Sequence, residues 1–154
     1  RGFCALGSTG RTPEGATVLI TQKTKYAIRA VFELARRREE GPTKIAEIAE
    51  AQKIPVRFLE VILNQMKHCG LVTAKRGFYG GYTLKRPADQ ITVVEIMQCI
   101  ESKQSLHCVS CISKDDCDLK GDCAFLPMWD KAQRAMLEVF ERTTIQNLLD
   151  GDVE

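Results

Sequence analysis

Cys111, Cys117 and Cys123 stand with five residues between neighbours in the polar stretch CISKDDCDLKGDC, and Cys108 adds a C-x2-C pair with Cys111. Thiolates are soft ligands that select zinc, copper(I) or iron–sulfur centres. Structural zinc sites favour paired C-x2-C knuckles, whereas wide single-cysteine spacing suits a polynuclear centre whose irons are separated by bridging sulfides. Three other outcomes stay open for the same stretch: a zinc site, a thiol switch in which Cys108 and Cys111 exchange a disulfide, and a loop that binds nothing. Cys69 and Cys99 fall inside amphipathic helical patterns and read as packing residues. Seven cysteines with no secretion signal point to reduced thiols and a cytoplasmic setting.

A second constellation lies upstream. Arg57, Glu60, Asn64 and Lys67 fall at offsets 0, 3, 7 and 10, one face of a helix. Arginine and asparagine read guanine and adenine edges, and a glutamate accepts from a cytosine amino group. Lys75 and Arg76 follow at the root of a Gly-rich hairpin, placed to meet phosphates or enter a minor groove. No hydrolase-type nucleophile–base pair accompanies them, since His68 and His107 are the only histidines, so the chain does not read as an enzyme.

The elements that must position these residues follow from periodicity. The spacing predicts a helix over 23–38 with Ala27, Ala30, Val31 and Leu34 inward, and a second over 44–52, capped by Thr43, with Ile45, Ile48 and Ala49 inward. Lys53-Ile54-Pro55 breaks the chain. A third helix runs over 56–69 with Leu59, Ile62, Leu63 and Met66 inward, and Gly70 ends it. Residues 71–75 and 82–85 alternate like strands around RGFYGG, a hairpin. A short helix is expected over 92–102. One long helix is expected over 126–149, with stripes Met128, Ala132, Ala135, Val139 and Trp129, Met136, Phe140, an apolar face wide enough to meet a second copy of the chain.

The net charge of +2 conceals an asymmetry. Residues 20–86 hold 14 Lys/Arg against 6 Asp/Glu, and residues 87–154 hold 6 against 13. A basic front half of +8 suits a polyanion, which the acidic back half of −7 does not. At 154 residues and 44% apolar composition the chain can bury a core, and no apolar run approaches the ~20 residues of a membrane span. Residues 1–18, including Cys4, are Gly/Ser/Thr/Pro-rich and read as a disordered extension; residues 19–88 as a winged helix-turn-helix; residues 89–154 as a linker helix, cysteine loop and dimerisation helix. The fold class is mainly α with a small β wing.

In LITQKTKYAIRAV, IPVRFLEVILNQMKHCGLV, KRGFYGGYTL, VVEIMQCIE and the cysteine triplet ahead of Met128-Trp129, the chain resembles the Rrf2 family of bacterial regulators, close to its IscR, NsrR and RirA types. The resemblance implies homodimers on near-palindromic double-stranded operators, with the long C-terminal helix crossing to the partner. It also implies a 2Fe–2S or 4Fe–4S cluster on Cys111, Cys117 and Cys123, control of iron–sulfur assembly, nitric-oxide or iron-uptake genes, a role in operator choice for Glu60 and a minor-groove role for Arg76. Two departures stand out. Leu126 occupies the place of the IscR-type histidine ligand, and Lys25 aligns with the aspartate that some NsrR-type proteins use. The fourth ligand is then Cys108 or His107 of the same loop, a residue of the partner, or a small exogenous group, and 4Fe–4S is favoured over 2Fe–2S. A cofactor-free member answering to a partner protein or metabolite is the rival expectation.

Overall fold

The computed structural model describes residues 20–101 and 123–153. The expected extension over residues 1–18, Cys4, and the loop positions His107, Cys108, Cys111 and Cys117 lie outside the described residues.

Helix α1 (Gln22–Arg36) starts where the Thr21 hydroxyl accepts from the Thr24 backbone N–H at 3.2 Å. Its inward stripe is the predicted one: Ala27, Ala30 and Val31 are fully buried and Leu34 nearly so. Helix α2 (Ile45–Gln52) begins at Lys44, whose backbone N–H donates to the Glu47 carboxylate at 2.8 Å. Thr43 does not cap it. Its backbone N–H and carbonyl instead pair with Tyr82 at 3.0 and 2.8 Å, adding a one-residue third strand to the hairpin.

Lys53, in left-handed conformation, turns the chain from α2 into α3 (Val56–His68). The Ile54 N–H bonds back to the Ala49 carbonyl at 3.0 Å and Ile54 itself enters the core. Leu59, Ile62, Leu63 and Met66 of α3 are all fully buried. Strands β1 (Val72–Lys75) and β2 (Gly81–Leu84) pair antiparallel, Val72 opposite Leu84 and Lys75 opposite Gly81.

Helix α4 (Val93–Ile100) opens with a complete capping box: the Thr92 hydroxyl accepts from the Glu95 N–H, and the Glu95 carboxylate accepts from the Thr92 N–H. The Arg86 guanidinium reaches Glu95 at 2.8 Å and ties the end of the hairpin to this helix. Burial pushes the Glu95 carboxyl upward, but the bonds from Arg86 and Thr92 outweigh it and hold its pKa below the ordinary value.

The single helix expected over 126–149 is two. Helix α5 spans Leu126–Arg142 and α6 spans Ile145–Asp150. The break has a physical cause in backbone pairing with the start of α4. The Thr143 carbonyl accepts from Val93 at 2.9 Å, and the Ile145 N–H donates to Ile91 at 2.9 Å. Thr144 then caps α6, its hydroxyl accepting from the Asn147 N–H at 3.1 Å. Ile145 is thereby buried in the same apolar cluster as Ala27, Ile62, Ile96 and Ile100.

Candidate nucleic-acid interface

The burial of Leu59, Ile62, Leu63 and Met66 forces the opposite side of α3 outward. Arg57, Glu60, Asn64 and Lys67 are all exposed, and their side chains make no hydrogen bond or ion pair with another described residue. Their polar groups stand free to meet a ligand. The sequence reading missed that apolar residues share this surface: Phe58 is 58% and Val61 59% exposed. Spacing alone could have placed Val61, because it lies four residues after Arg57 and three before Asn64. A valine methyl among hydrogen-bonding groups is the complement of a thymine methyl flanked by base edges. Phe58 packs edge-to-face on Tyr26 of α1, centroids 6.4 Å apart, so its place is fixed from behind.

The hairpin brings Lys75 and Arg76 to an exposed position beyond α3, with Phe78 (80% exposed) and Tyr79 (82%) at its tip. The glycines explain why the tip is so tight. A Cβ on Gly80 would lie 2.3 Å from the Lys75 carbonyl oxygen, and one on Gly81 would lie 2.5 Å from that of Thr43. Both positions therefore require glycine because backbone approaches backbone.

The turn between α2 and α3 is clamped from α1. Gln52, the last residue of α2, donates from its amide to Glu33 at 2.8 Å, and Arg29 donates to the Gln52 backbone carbonyl. Glu33 is wholly buried and also accepts from Arg36 at 2.7 Å and Arg37 at 2.6 Å. Burial alone would raise its pKa; the bonds from Arg36, Gln52 and Arg37 prevail and hold it below the ordinary 4.5.

The other end of α3 is joined to the start of the cysteine loop. The Gln65 amide donates to the carbonyls of Cys99 (2.7 Å) and Ile100 (3.2 Å), while its oxygen accepts from Lys23 at 2.7 Å. Glu101, the last residue described before the loop, accepts from the hydroxyls of Thr21 and Thr24 at the head of α1. Cys69 and Cys99, expected as separate packing residues, form a disulfide between the end of α3 and α4, Cα atoms 5.9 Å apart.

Of the expected metal ligands only Cys123 is among the described residues: its thiol is free and half-exposed, and its backbone carbonyl accepts from the Leu126 N–H as α5 begins. Leu126 opens α5 and Lys25 is exposed on α1; neither offers a lone pair in place of the absent histidine or aspartate. Among the described residues no helix is long and apolar enough to cross a membrane.

A family model described as the iron-dependent transcriptional regulator Rrf2 matches residues 20–151. The chain is 30% identical to the transcriptional regulator CymR of Bacillus subtilis, covering 88% of this chain and 94% of that one. The solved structure of that protein, described as a global cysteine regulator, superposes with a TM-score of 0.73 over 85% of this chain and 95% of that one. The regulator IscR of Xenorhabdus nematophila is 33% identical over 71% of this chain and 66% of its own. The structure of T. potens IscR, 28% identical, gives a TM-score of 0.70 over 87% of this chain and 88% of that one.

Proposed function

The chain belongs to the Rrf2 family of transcriptional regulators, and from that premise we propose a homodimeric, cytoplasmic, operator-specific regulator whose sensor is an iron–sulfur centre on the cysteine loop. Its relatives are transcriptional regulators rather than enzymes, so the chemistry to explain is recognition and signalling.

The observation that carries this reading is the outward face of α3, where unpaired Arg57, Glu60 and Asn64 flank exposed Val61. Laid in a major groove, Arg57 reads a guanine, Asn64 an adenine, Glu60 a cytosine amino group and Val61 a thymine methyl. Lys67, Lys75 and Arg76 supply phosphate and minor-groove contacts. The second copy is supported by α5: no residue of this helix is buried, and the stripe Met128, Ala132, Ala135, Val139 is exposed throughout. Such an apolar stripe, continuous along a 17-residue helix, fits the same helix of a partner subunit.

Cys111, Cys117 and Cys123 would hold the cluster, 4Fe–4S being favoured, with Cys108 or His107 as fourth donor; when bound, it supplies iron that oxidants or nitric oxide attack. Cys123 fits that role as a free thiol at the mouth of α5. The protein's own part is mechanical. Glu101 and Gln65 fasten one end of the loop to α1 and α3, and Cys123 leads the other end into α5. A change in the loop's span thus pulls on the reading helix and on the dimer face together.

Anaerobic purification followed by an absorption spectrum and iron and acid-labile sulfide assays tests the reading. Brown protein with sulfide near stoichiometric to iron, lost on replacing Cys111, Cys117 and Cys123 by serine, is the expected result. Colourless protein after anaerobic reconstitution would sink the cluster. A second reading, a cofactor-free regulator answering to a partner protein or metabolite, is favoured by the likeness to the global cysteine regulator CymR. It expects operator binding unchanged by the triple replacement.

A further inference from the structure

Cys69 and Cys99 lie outside the sensor loop, and their placement gives them a use of their own. Cys69 caps α3 and is exposed; Cys99 sits in the last turn of α4 and is half-buried. Their Cα separation of 5.9 Å falls within the range a disulfide spans without moving backbone. In the bridged pair the Cys99 carbonyl lies 3.6 Å from the Cys69 sulfur and the Gln65 carbonyl 3.8 Å from the Cys99 sulfur, so a thiol released by reduction has a backbone acceptor close by. Exposed Cys69 leaves the bridge accessible to small thiols and disulfides, which is what exchange requires of a reversible bond rather than a permanent staple.

We propose that Cys69 and Cys99 are a thiol–disulfide modification site that takes low-molecular-weight disulfides of the glutathione class and latches the recognition helix to α4. The inference rests on the DNA-binding reading for its consequence but not for its chemistry. Exposed Cys69, as thiolate, attacks one sulfur of the small disulfide and releases one equivalent of small thiol. Cys99, after giving its proton to solvent, displaces the second equivalent from the mixed disulfide and completes the bridge. Two protein thiols are oxidised and one small disulfide is reduced to two thiols, so electrons and atoms balance. Excess small thiol reverses both steps.

The bridge is closed directly beside the Gln65 amide that already binds the Cys99 and Ile100 carbonyls. In the reduced protein α3 is held to α4 by those neutral bonds and by the shared apolar cluster of Ile62, Met66, Ile96 and Ile100, and its last turn can rock on that buried face. Closed, the last turn of α3 and the last turn of α4 move as one body, with the Arg57–Asn64 face held outward. Ordering that the groove would otherwise impose is then already in place, and operator binding tightens.

The test uses the full dimer, equilibrated anaerobically in reduced:oxidised glutathione buffers, with differential alkylation and peptide mapping, amide hydrogen exchange across residues 65–71, and operator titration. The expected result is a Cys69–Cys99 cross-linked peptide, slowed exchange at the end of α3, and operator affinity raised at least about fivefold over the reduced form. C69S and C99S should each bind as the reduced protein does whatever the buffer. Failure of the cross-linked peptide to form in any buffer overturns the site. A bridge that leaves both exchange and affinity unchanged within twofold overturns the latch. Should neither oxidation state bind any operator fragment, the DNA reading fails by itself, and the peptide map with the exchange data still decides the latch.

Discussion

Glu33→Gln is the perturbation that best tests how the reading head is built. The side chain is wholly buried and takes three donors, from Arg36, Arg37 and Gln52. Arg36 is 55% exposed, so its ion pair is screened and contributes at most a few tenths of a kcal/mol. Arg37 is only 26% exposed, and the Gln52 amide binds a full carboxylate charge; these two bonds are worth about 1 kcal/mol each net of desolvation. Glutamine keeps one acceptor oxygen and loses the charge, for an expected loss of about 1–1.5 kcal/mol at neutral pH, and Glu33→Ala should lose about 2–3. The sign of the pH dependence follows from a depressed carboxylate pKa. Stability from the ionised group is complete above its unfolded value near 4.5 and disappears as pH falls through the lower folded value. The gap between wild type and Glu33→Gln should therefore be constant from pH 8 to about 5 and close below about 4.5. Urea unfolding at fixed protein concentration, repeated across that range, measures it. A gap below about 0.5 kcal/mol at pH 7, or one that persists undiminished into acid, would refute the account of a charge-held clamp.

Gly81→Ala should destabilise the protein by about 2–3 kcal/mol, because its Cβ would meet the Thr43 carbonyl oxygen at 2.5 Å; retention of the wild-type urea midpoint would contradict that approach. Glu60→Ala should change which bases an operator panel prefers, by about 1–3 kcal/mol at one position, whereas Lys75→Ala should weaken all sequences alike and reduce the salt slope by about 1. Identical effects of the two on a binding-site selection would remove the distinction between reading and phosphate anchoring. Val139→Lys, on the uncovered stripe of α5, should shift sedimentation from dimer to monomer at micromolar concentration, and an unchanged dimer would move the interface elsewhere.

The order of elements from α1 through the hairpin was legible because each carries one buried stripe at a single period, and the fully buried residues of α3 are the four that spacing selects. Burial on one side dictates exposure on the other, so Arg57, Glu60 and Asn64 followed without further information. What stayed hidden depends on contacts between distant segments. Glu33 occupies a position beside the apolar stripe of α1, and no local spacing marks it as buried; only the approach of Gln52, nineteen residues on, makes it a clamp. The Cys69–Cys99 bridge spans thirty residues and leaves no local pattern. The division of α5 from α6 was missed because apolar periodicity continues through Thr143-Thr144, and the break is made by pairing with Ile91 and Val93.

In the proposed sensor these distant contacts would set how a loop event reaches DNA. Two routes leave the loop. One passes within the subunit, through Glu101 to Thr21 and Thr24 and through Gln65 to α3; the other passes through Cys123 into α5 and so to the proposed partner. The first consists of a few hydrogen bonds at the rim of the core. Their differential worth between two loop states is about 1–3 kcal/mol, a 5- to 150-fold change in affinity. In the proposed dimer the second acts on geometry, because its two α3 helices would have to meet half-sites about 34–36 Å apart, and a small rotation of α5 would be multiplied over that distance. A graded response is what the hydrogen-bonded route can deliver alone. An all-or-none response requires coupling through α5 of the proposed dimer, whose stripe from Met128 to Val139 is exposed for that contact.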